Sequence, residues 1–465
     1  MRPLAFPLMP NRDDGPIPAL ALSARARRTD PQPISYLIQT ALDNPGLINL
    51  AAGLVDPRTL PAAESAAIAG QILSDPARGR AALQYETTQG LAELRRAAVQ
   101  HLESLESKSA AQMGFAAEDV IVTTGSQQAL FLIGDVLIDP GDIVITANPC
   151  YFVYTSALAA LGADVRAVPM DEEGLDTEAV ASLLHRLSAQ GLGNRVRMIY
   201  VTSWFQNPTG LTLSLARRKR LLEIARGFAG PQRLVILEDA AYRELRYDGA
   251  DFPSIKSMDS ENRHTILACT FSKPFAPGLK TGCTVLPTDL REAVLRQKGH
   301  HDFGSSSLTQ HIAAEALTGG AYGRQVATLR REYQAKRDAM LAALAKYMPA
   351  AVRWTRPGGG FYIWVTFPQG VDTSREGGMF AAAVKAGVLY VPGDYCFQPD
   401  ESGRVPRHHL RLSFGQVAPE QIEPGIRRLA AAAAVAAEKV ENGREKIEND
   451  GDGAGGLVGS RERGA

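Results

Sequence analysis

Three side chains of unlike type recur at nearly equal intervals in the middle of the chain: Asn207 in FQNPTG, Asp239 in ILEDAAY and Lys273 in TFSKPFAPGLKTG. Each follows a short apolar run, and each interval is about one β-α repeat long. The three are therefore expected to meet in one crevice at the ends of neighbouring strands. Such a crevice offers an amine that can condense with an aldehyde, a carboxylate that can keep a heteroaromatic nitrogen protonated, and an amide that can hydrogen-bond a phenolic oxygen.

Pyridoxal 5'-phosphate is the cofactor with those three handles, and its protonated ring is an electron sink for a carbanion at a bound substrate. Its phosphate needs an anion cradle, which TTGSQQ supplies. Gly125 ends a strand, while Ser126 and Gln127 open a helix whose free N–H groups and dipole favour negative charge. Thr270, Ser272 and Lys280 add hydroxyls and a positive charge beside Lys273, and Tyr151 in ANPCY is placed to stack on a ring. Each has an ordinary use when taken alone. Lysines and aspartates are mostly solvated, Tyr151 and Tyr242 could be core aromatics, Asn207 could start a turn, Ser126 could cap a helix, and Arg411 could form a structural ion pair. Their joint occurrence favours a site.

The elements that must position these groups are legible in the periodicity. From Asp119 the chain reads DVIVTT, GSQQALFLIGDVLI, DPGD and IVITA. That is a β-branched run, a helix-length apolar segment, a turn and another β-branched run. The pattern repeats through DVRAVPM, a helix expected from Thr177 to about Gln190, VRMIYVT, a helix around LARRKRLLEIARGF, RLVILED and TILACTFSK. Strands alternating with amphipathic helices predict an α/β fold, a large domain with a mostly parallel sheet between helices. After Ser307, a helical pattern through Tyr347 is followed by RPGGGFYIWVTF, a helix near Met379 to Ala386, VLYVPGD and HHLRLSF, which predicts a smaller α+β domain. The expected division is 1–60 as N-terminal arm and start of the small domain, 61–306 as the large cofactor-binding domain, 307–440 as the small domain, and 441–465 as a Gly-rich disordered tail.

Composition narrows the function classes. The 465 residues are 45% hydrophobic and 22% charged, with 50 Lys+Arg balancing 50 Asp+Glu, so no basic field draws nucleic acid. No apolar stretch reaches membrane-spanning length, and the Pro-rich N-terminus lacks the apolar core of a signal peptide, so no membrane partner and a cytoplasmic location are expected. Cys150, Cys269, Cys283 and Cys396 form no CxxC pair and are expected as free thiols. His300-His301 and His408-His409 lack accompanying thiol or carboxylate clusters, so no metal is expected. The run RRKR at 217–220 is expected to be a solvated helix face.

In INLAAGLVDPRTLP, LQYETTQG, GSQQAL, NPTG, EDAAY, FSKPFAPGLKTG, PGGGFYIW, VPGDYCF and HLRLSFG, in that order, the chain resembles the class I/II aminotransferases, which are fold type I pyridoxal phosphate enzymes. The resemblance runs from about Ser35 to Leu429 and is greatest to the 2-aminoadipate and kynurenine aminotransferase branch. It implies that Lys273 holds the cofactor as a Schiff base and moves the proton, that Asp239 pairs with the ring nitrogen, and that Asn207 and Tyr242 bond the phenolic oxygen. It further implies that Tyr151 stacks on the ring, that Gly125, Ser126, Gln127, Thr270, Ser272 and Lys280 hold the phosphate, and that Arg411, with Asn207, clamps the substrate carboxylate. By the same resemblance the protein is a homodimer in which Tyr85 reaches the phosphate of the partner's cofactor, and Gly53 lets the substrate pass close to the backbone.

The implied reaction moves an amino group between an L-amino acid and a 2-oxo acid in ping-pong fashion. The same scaffold also serves lyases, decarboxylases, amino acid oxidases and, less readily here, regulators that bind the cofactor without turnover. Two positions depart from the family pattern. Lys280 stands where an arginine is frequent, exchanging a planar fork for a point charge. Ala241 replaces the usual proline before Tyr242, with no expected loss of a functional group.

Overall fold

The computed structural model describes residues 20–452. Its helices are α1 (Ala24–Arg28), α2 (Pro33–Asp43), α3 (Ala62–Ser74), α4 (Pro76–Ala82), α5 (Ala92–Glu106), α6 (Gly125–Leu137), α7 (Phe152–Leu161), α8 (Thr177–Ala189), α9 (Leu215–Gly227), α10 (Thr288–His301), α11 (Ser307–Thr318), α12 (Ala321–Tyr347), α13 (Gly378–Ala386) and α14 (Pro419–Asp452). The strands are β1 (Ile48–Asn49), β2 (Val120–Thr123), β3 (Ile143–Asn148), β4 (Asp164–Asp171), β5 (Gly174–Leu175), β6 (Val196–Thr202), β7 (Val235–Asp239), β8 (Thr265–Thr270), β9 (Gly282–Val285), β10 (Arg353–Trp354), β11 (Tyr362–Thr366), β12 (Val388–Leu389), β13 (Val391–Pro392) and β14 (His409–Ser413).

The large sheet has the order β2-β9-β8-β7-β6-β3-β4-β5. Successive strand residues point to opposite faces, so apolar runs bury both sides. Ile143, Ile145, Ile199, Val201 and Ile236 pack against Val180 and Leu184 of α8 and Leu221 of α9. Their neighbours Val144, Met198, Tyr200 and Leu237 face Leu130 and Ile133 of α6, Leu158 of α7 and Val294 of α10. This alternation holds the carboxyl ends of β6, β7 and β8 level along one edge. β9, which the periodicity did not reveal, runs antiparallel between β8 and β2.

The smaller domain carries an antiparallel sheet, β10-β11-β14-β13, packed on α12, α13 and α14. β1 pairs in parallel with β12. α11, which the expected division places after its boundary at 307, packs on α3 and α5. Along α12, Tyr322 and Val326 pack in the cluster that contains Leu94 of α5 and Val120 of β2, whereas Tyr333, Met340 and Leu344 pack in the cluster that contains Met379 of α13 and Ile422 of α14. Of the tail expected from 441, residues 441–452 belong to α14; 453–465 lie outside the described residues, as do 1–19 of the arm. No helix among the described residues is long and apolar enough to cross a membrane.

One residue of the RRKR run overturns the expected solvated face. Arg217 and Arg220 do pair with Asp171 and Glu178 near the surface, but Arg218 is fully buried. Its guanidinium lies 4.1 Å from the Trp204 ring centroid. It donates to the carbonyls of Leu213 at 2.9 Å, Pro253 at 3.0 Å, Phe252 at 3.2 Å and Ser203 at 2.6 Å. Burial pushes its pKa down to about 10, and it stays a cation that ties the loop after β6 to the loop after β7. Arg218→Leu strips donors from four carbonyls, and the expected loss is about 3 kcal/mol or more of folding free energy. Chemical denaturation of the purified variant reads this as a lowered midpoint.

Candidate active site

The strand ends open into one cavity of about 250 Å³. Its wall includes Gly125, Ser126 and Gln127 after β2, Tyr151 after β3, Asn207 after β6, Asp239 and Tyr242 after β7, and Thr270, Ser272, Lys273 and Lys280 after β8. Gly53 and Arg411 close it from the small-domain side. Every site residue expected from the sequence is brought together except Tyr85, which is 83% exposed, outside the cavity, with its ring edge-on to Phe303 at 5.6 Å.

Asp239 ends β7 and is buried. Its Oδ2 accepts from Tyr200 Oη at 3.0 Å and its Oδ1 from the Ala241 N–H at 3.0 Å. Burial pushes its pKa up to about 6, against the lowering effect of those two donors and of the Lys273 charge. A proline at 241 would have no N–H to offer, so Ala241 adds a donor to the carboxylate, which the sequence alone did not suggest.

Lys273 Nζ donates to the Gly53 carbonyl at 3.0 Å and lies 5.6 Å from the Phe361 ring centroid. Desolvation, followed by the positive charges of Arg411 and Lys280, pushes its pKa down to about 8, with Asp239 opposing. The amine is thus a competent nucleophile near neutral pH.

Arg411 is centred on β14, opposite Trp364 of β11, and is buried. Nη1 donates to Asn207 Oδ1 at 2.7 Å and Nη2 to the Ala51 carbonyl at 2.8 Å, while Nε has no partner among the described residues. The guanidinium sits 4.4 Å from the Tyr362 ring centroid. Tyr242 and Tyr362 share a hydroxyl hydrogen bond at 3.2 Å, and Tyr151 Oη donates to Gln127 Oε1 at 3.3 Å.

At the cradle, Gly125 has φ +69°, a conformation that favours glycine. Gly282 of β9 presses against it: an added Cβ would lie 2.6 Å from the Cys269 carbonyl and 3.0 Å from Ser126 N. Thr270 Oγ1 donates to Ser272 Oγ at 3.0 Å. Lys280, at φ +50°, places its exposed cation at the rim. At Gly53 a Cβ would collide with the Tyr362 hydroxyl, so only glycine fits beneath that ring.

Sequence reasoning missed Tyr200 and Tyr362. Tyr200 is a hydroxyl inside the apolar run VRMIYVT, and a buried hydroxyl needs a partner, which is a usable signal. Tyr362 lies in PGGGFYIW, but only the register of β11 against β14 places it over Arg411. Ile34 and Ile38 of α2 also line the cavity, and nothing local marks them.

The family model described as aminotransferase class I and II matches residues 45–429. The chain belongs to the class I and II aminotransferases. It is 36% identical over 384 residues to aromatic-amino-acid aminotransferase 1 of Thermococcus litoralis, covering 83% of this chain and 87% of that one. The crystal structure of Pyrococcus horikoshii kynurenine aminotransferase, in complex with PMP, superposes with a TM-score of 0.80 at 34% identity, covering 88% of this chain and 96% of that one. That of Thermus thermophilus LysN, an alpha-aminoadipate aminotransferase complexed with N-(5'-phosphopyridoxyl)-L-leucine, gives 0.77 at 33% identity over 90% and 98%.

This aminotransferase uses pyridoxal phosphate, takes an amino acid as substrate, and has the fold type I architecture. The cavity fits the cofactor: free first-turn N–H groups, two hydroxyls and a cation at one end, a buried carboxylate on the floor, and between them an amine that loses its proton near pH 8. An amine captures an aldehyde in its neutral form, so with Lys273 as that amine the rate of capture in the apoenzyme is expected to rise with pH through about 8 and then level off. Stopped-flow absorbance on adding pyridoxal phosphate measures this; a rise continuing past pH 10 would indicate an ordinary lysine.

Proposed function

We propose that this aminotransferase exchanges the amino group of an aromatic or other bulky apolar L-amino acid with a 2-oxo acid, working as a cytoplasmic homodimer. The observation that carries the substrate class is the cavity wall. Ile34, Ile38, Leu54, Phe152 and Val153 line it, and its basic side chains are Lys273, Lys280 and Arg411. Each of these cations has a proposed role in the reaction, which leaves none among the described residues of one chain for a second carboxylate on the substrate side chain. This favours an aromatic donor over 2-aminoadipate, the substrates named for the Thermococcus and Thermus relatives respectively.

When bound, pyridoxal phosphate supplies an electrophilic aldehyde carbon and a ring that accepts the electrons of the substrate Cα–H bond. Lys273 would hold the aldehyde carbon through its Nζ and, as a neutral amine, would serve as the base that moves the proton between the substrate Cα and the cofactor side. Asp239, oriented by Tyr200 and the Ala241 N–H, would keep the ring nitrogen protonated. Arg411 clamps the substrate α-carboxylate, and its tether to Asn207 and Ala51 fixes the guanidinium plane. Asn207 and Tyr242 would hydrogen-bond the phenolic oxygen, and Tyr151 would stack on the ring. Gly125, Ser126, Gln127, Thr270, Ser272 and Lys280 would hold the phosphate, with Gly53 giving the substrate room beside the backbone.

Exposed Tyr85, Leu83 and Phe303 support an interface that offers Tyr85 to the phosphate of a second copy. The four unpaired thiols suit a reducing compartment.

A donor panel tests the substrate class: kcat/KM for phenylalanine or tyrosine is expected to exceed that for aspartate and 2-aminoadipate by about tenfold or more, and the reverse order overturns it. Incubation with the amino acid alone is expected to yield one equivalent of oxo acid per site; repeated turnover without an acceptor points instead to a lyase or oxidase. Lys273→Ala is expected to abolish both turnover and the visible absorbance of the bound cofactor.

A further inference from the structure

Behind the anion cradle lies a chain of polar contacts outside the cavity wall. Gln128, the second glutamine of GSQQ, is buried in the first turns of α6. Its Oε1 accepts from the Thr124 N–H at 2.8 Å. Its Nε2 donates to Asp302 Oδ2 at 2.6 Å and lies 3.1 Å from His301 Nδ1. Asp302, just past α10, in turn accepts from Lys298 Nζ at 2.7 Å on Oδ1 and 3.0 Å on Oδ2. The Lys298 side chain is fully buried.

The order of these groups has a physical consequence. A carboxylate acceptor polarises the amide of Gln128, which strengthens its oxygen as acceptor for the Thr124 N–H. Thr124 is the residue entering α6, so fixing its N–H fixes how the chain enters the turn. The next N–H groups, those of Gly125, Ser126 and Gln127, have no intrahelical acceptor and are the ones available to an anion. Gly125 is the freest joint in this turn; Gly282 confines it from one side and the Gln128 brace from the other.

The loop bearing Asp302 is itself anchored, by Thr88 Oγ1 donating to the Phe303 carbonyl at 2.7 Å and by Ser305 Oγ lying 3.4 Å from Thr124 Oγ1. Lys298 also cancels a negative charge that would otherwise stand behind an anion site.

We propose that Gln128, backed by Asp302 and Lys298, is a positioning residue that sets the affinity of the site for the cofactor's phosphate group rather than for its ring. The inference rests on the reading that the Gly125–Gln127 turn holds that phosphate. It is tested by titrating apo forms of the wild type, Gln128→Met and Asp302→Asn with pyridoxal phosphate and with pyridoxal, which lacks the phosphate, following cofactor absorbance.

In both variants the Kd for pyridoxal phosphate is expected to rise about tenfold or more, with the Kd for pyridoxal changed less than twofold. An equal loss for both ligands overturns the proposal, since it reports a general packing defect; unchanged affinity for pyridoxal phosphate overturns it too. Should Gln128→Met not fold, Lys298→Met carries the same expectation and the same refuting outcomes. A wild type that binds the two ligands equally well would refute the phosphate reading itself.

Discussion

A carboxylate and an ammonium can share a crevice with little water only when each is held by neighbours that offset the lost hydration, and the site is organised around that constraint. Burial pushes Asp239 up towards neutrality and Lys273 down towards the free amine. Two shifts of opposite sign, set by one dehydrated environment, give an acid and a base whose protonation is poised in the physiological range. The Tyr200 hydroxyl and the Ala241 N–H limit the first shift, and the nearby cations Arg411 and Lys280 reinforce the second.

The surrounding frame explains why those neighbours stay in place. Glu238, adjacent to Asp239, points to the opposite face of β7, as strand alternation demands. There it accepts from Ser203 Oγ at 2.7 Å, Ile255 N–H at 3.0 Å and Lys256 N–H at 3.0 Å. Arg218 binds the Ser203 carbonyl from the same side. The loops after β6 and β7 are thus fastened from behind by buried polar groups whose partners are satisfied, and so can present Asn207 and Asp239 in front without spending contacts on their own support.

The small domain contributes by reach. Arg411 comes from β14, and its guanidinium is fixed by Asn207 of the large domain and by the Ala51 carbonyl near β1. Lys273 in turn donates to the Gly53 carbonyl. Lys273 and Arg411 are therefore each anchored to the 51–53 segment, which makes that strap the link between the two cations of the cavity.

The sequence by itself determined the alternating strands and helices, the convergence of Asn207, Asp239 and Lys273, and the anion cradle, because these depend on short-range periodicity and on motifs whose chemistry is local. Only the tertiary structure decided the rest. It buried Arg218 within a run that reads as a solvated face, inserted β9 beside the Gly125 turn, set Tyr200 against Asp239, and brought Tyr362, Ile34 and Ile38 to the cavity. Those outcomes turn on register between distant strands and on which face of a helix meets the core, and such long-range packing leaves no trace in the spacing of neighbouring residues.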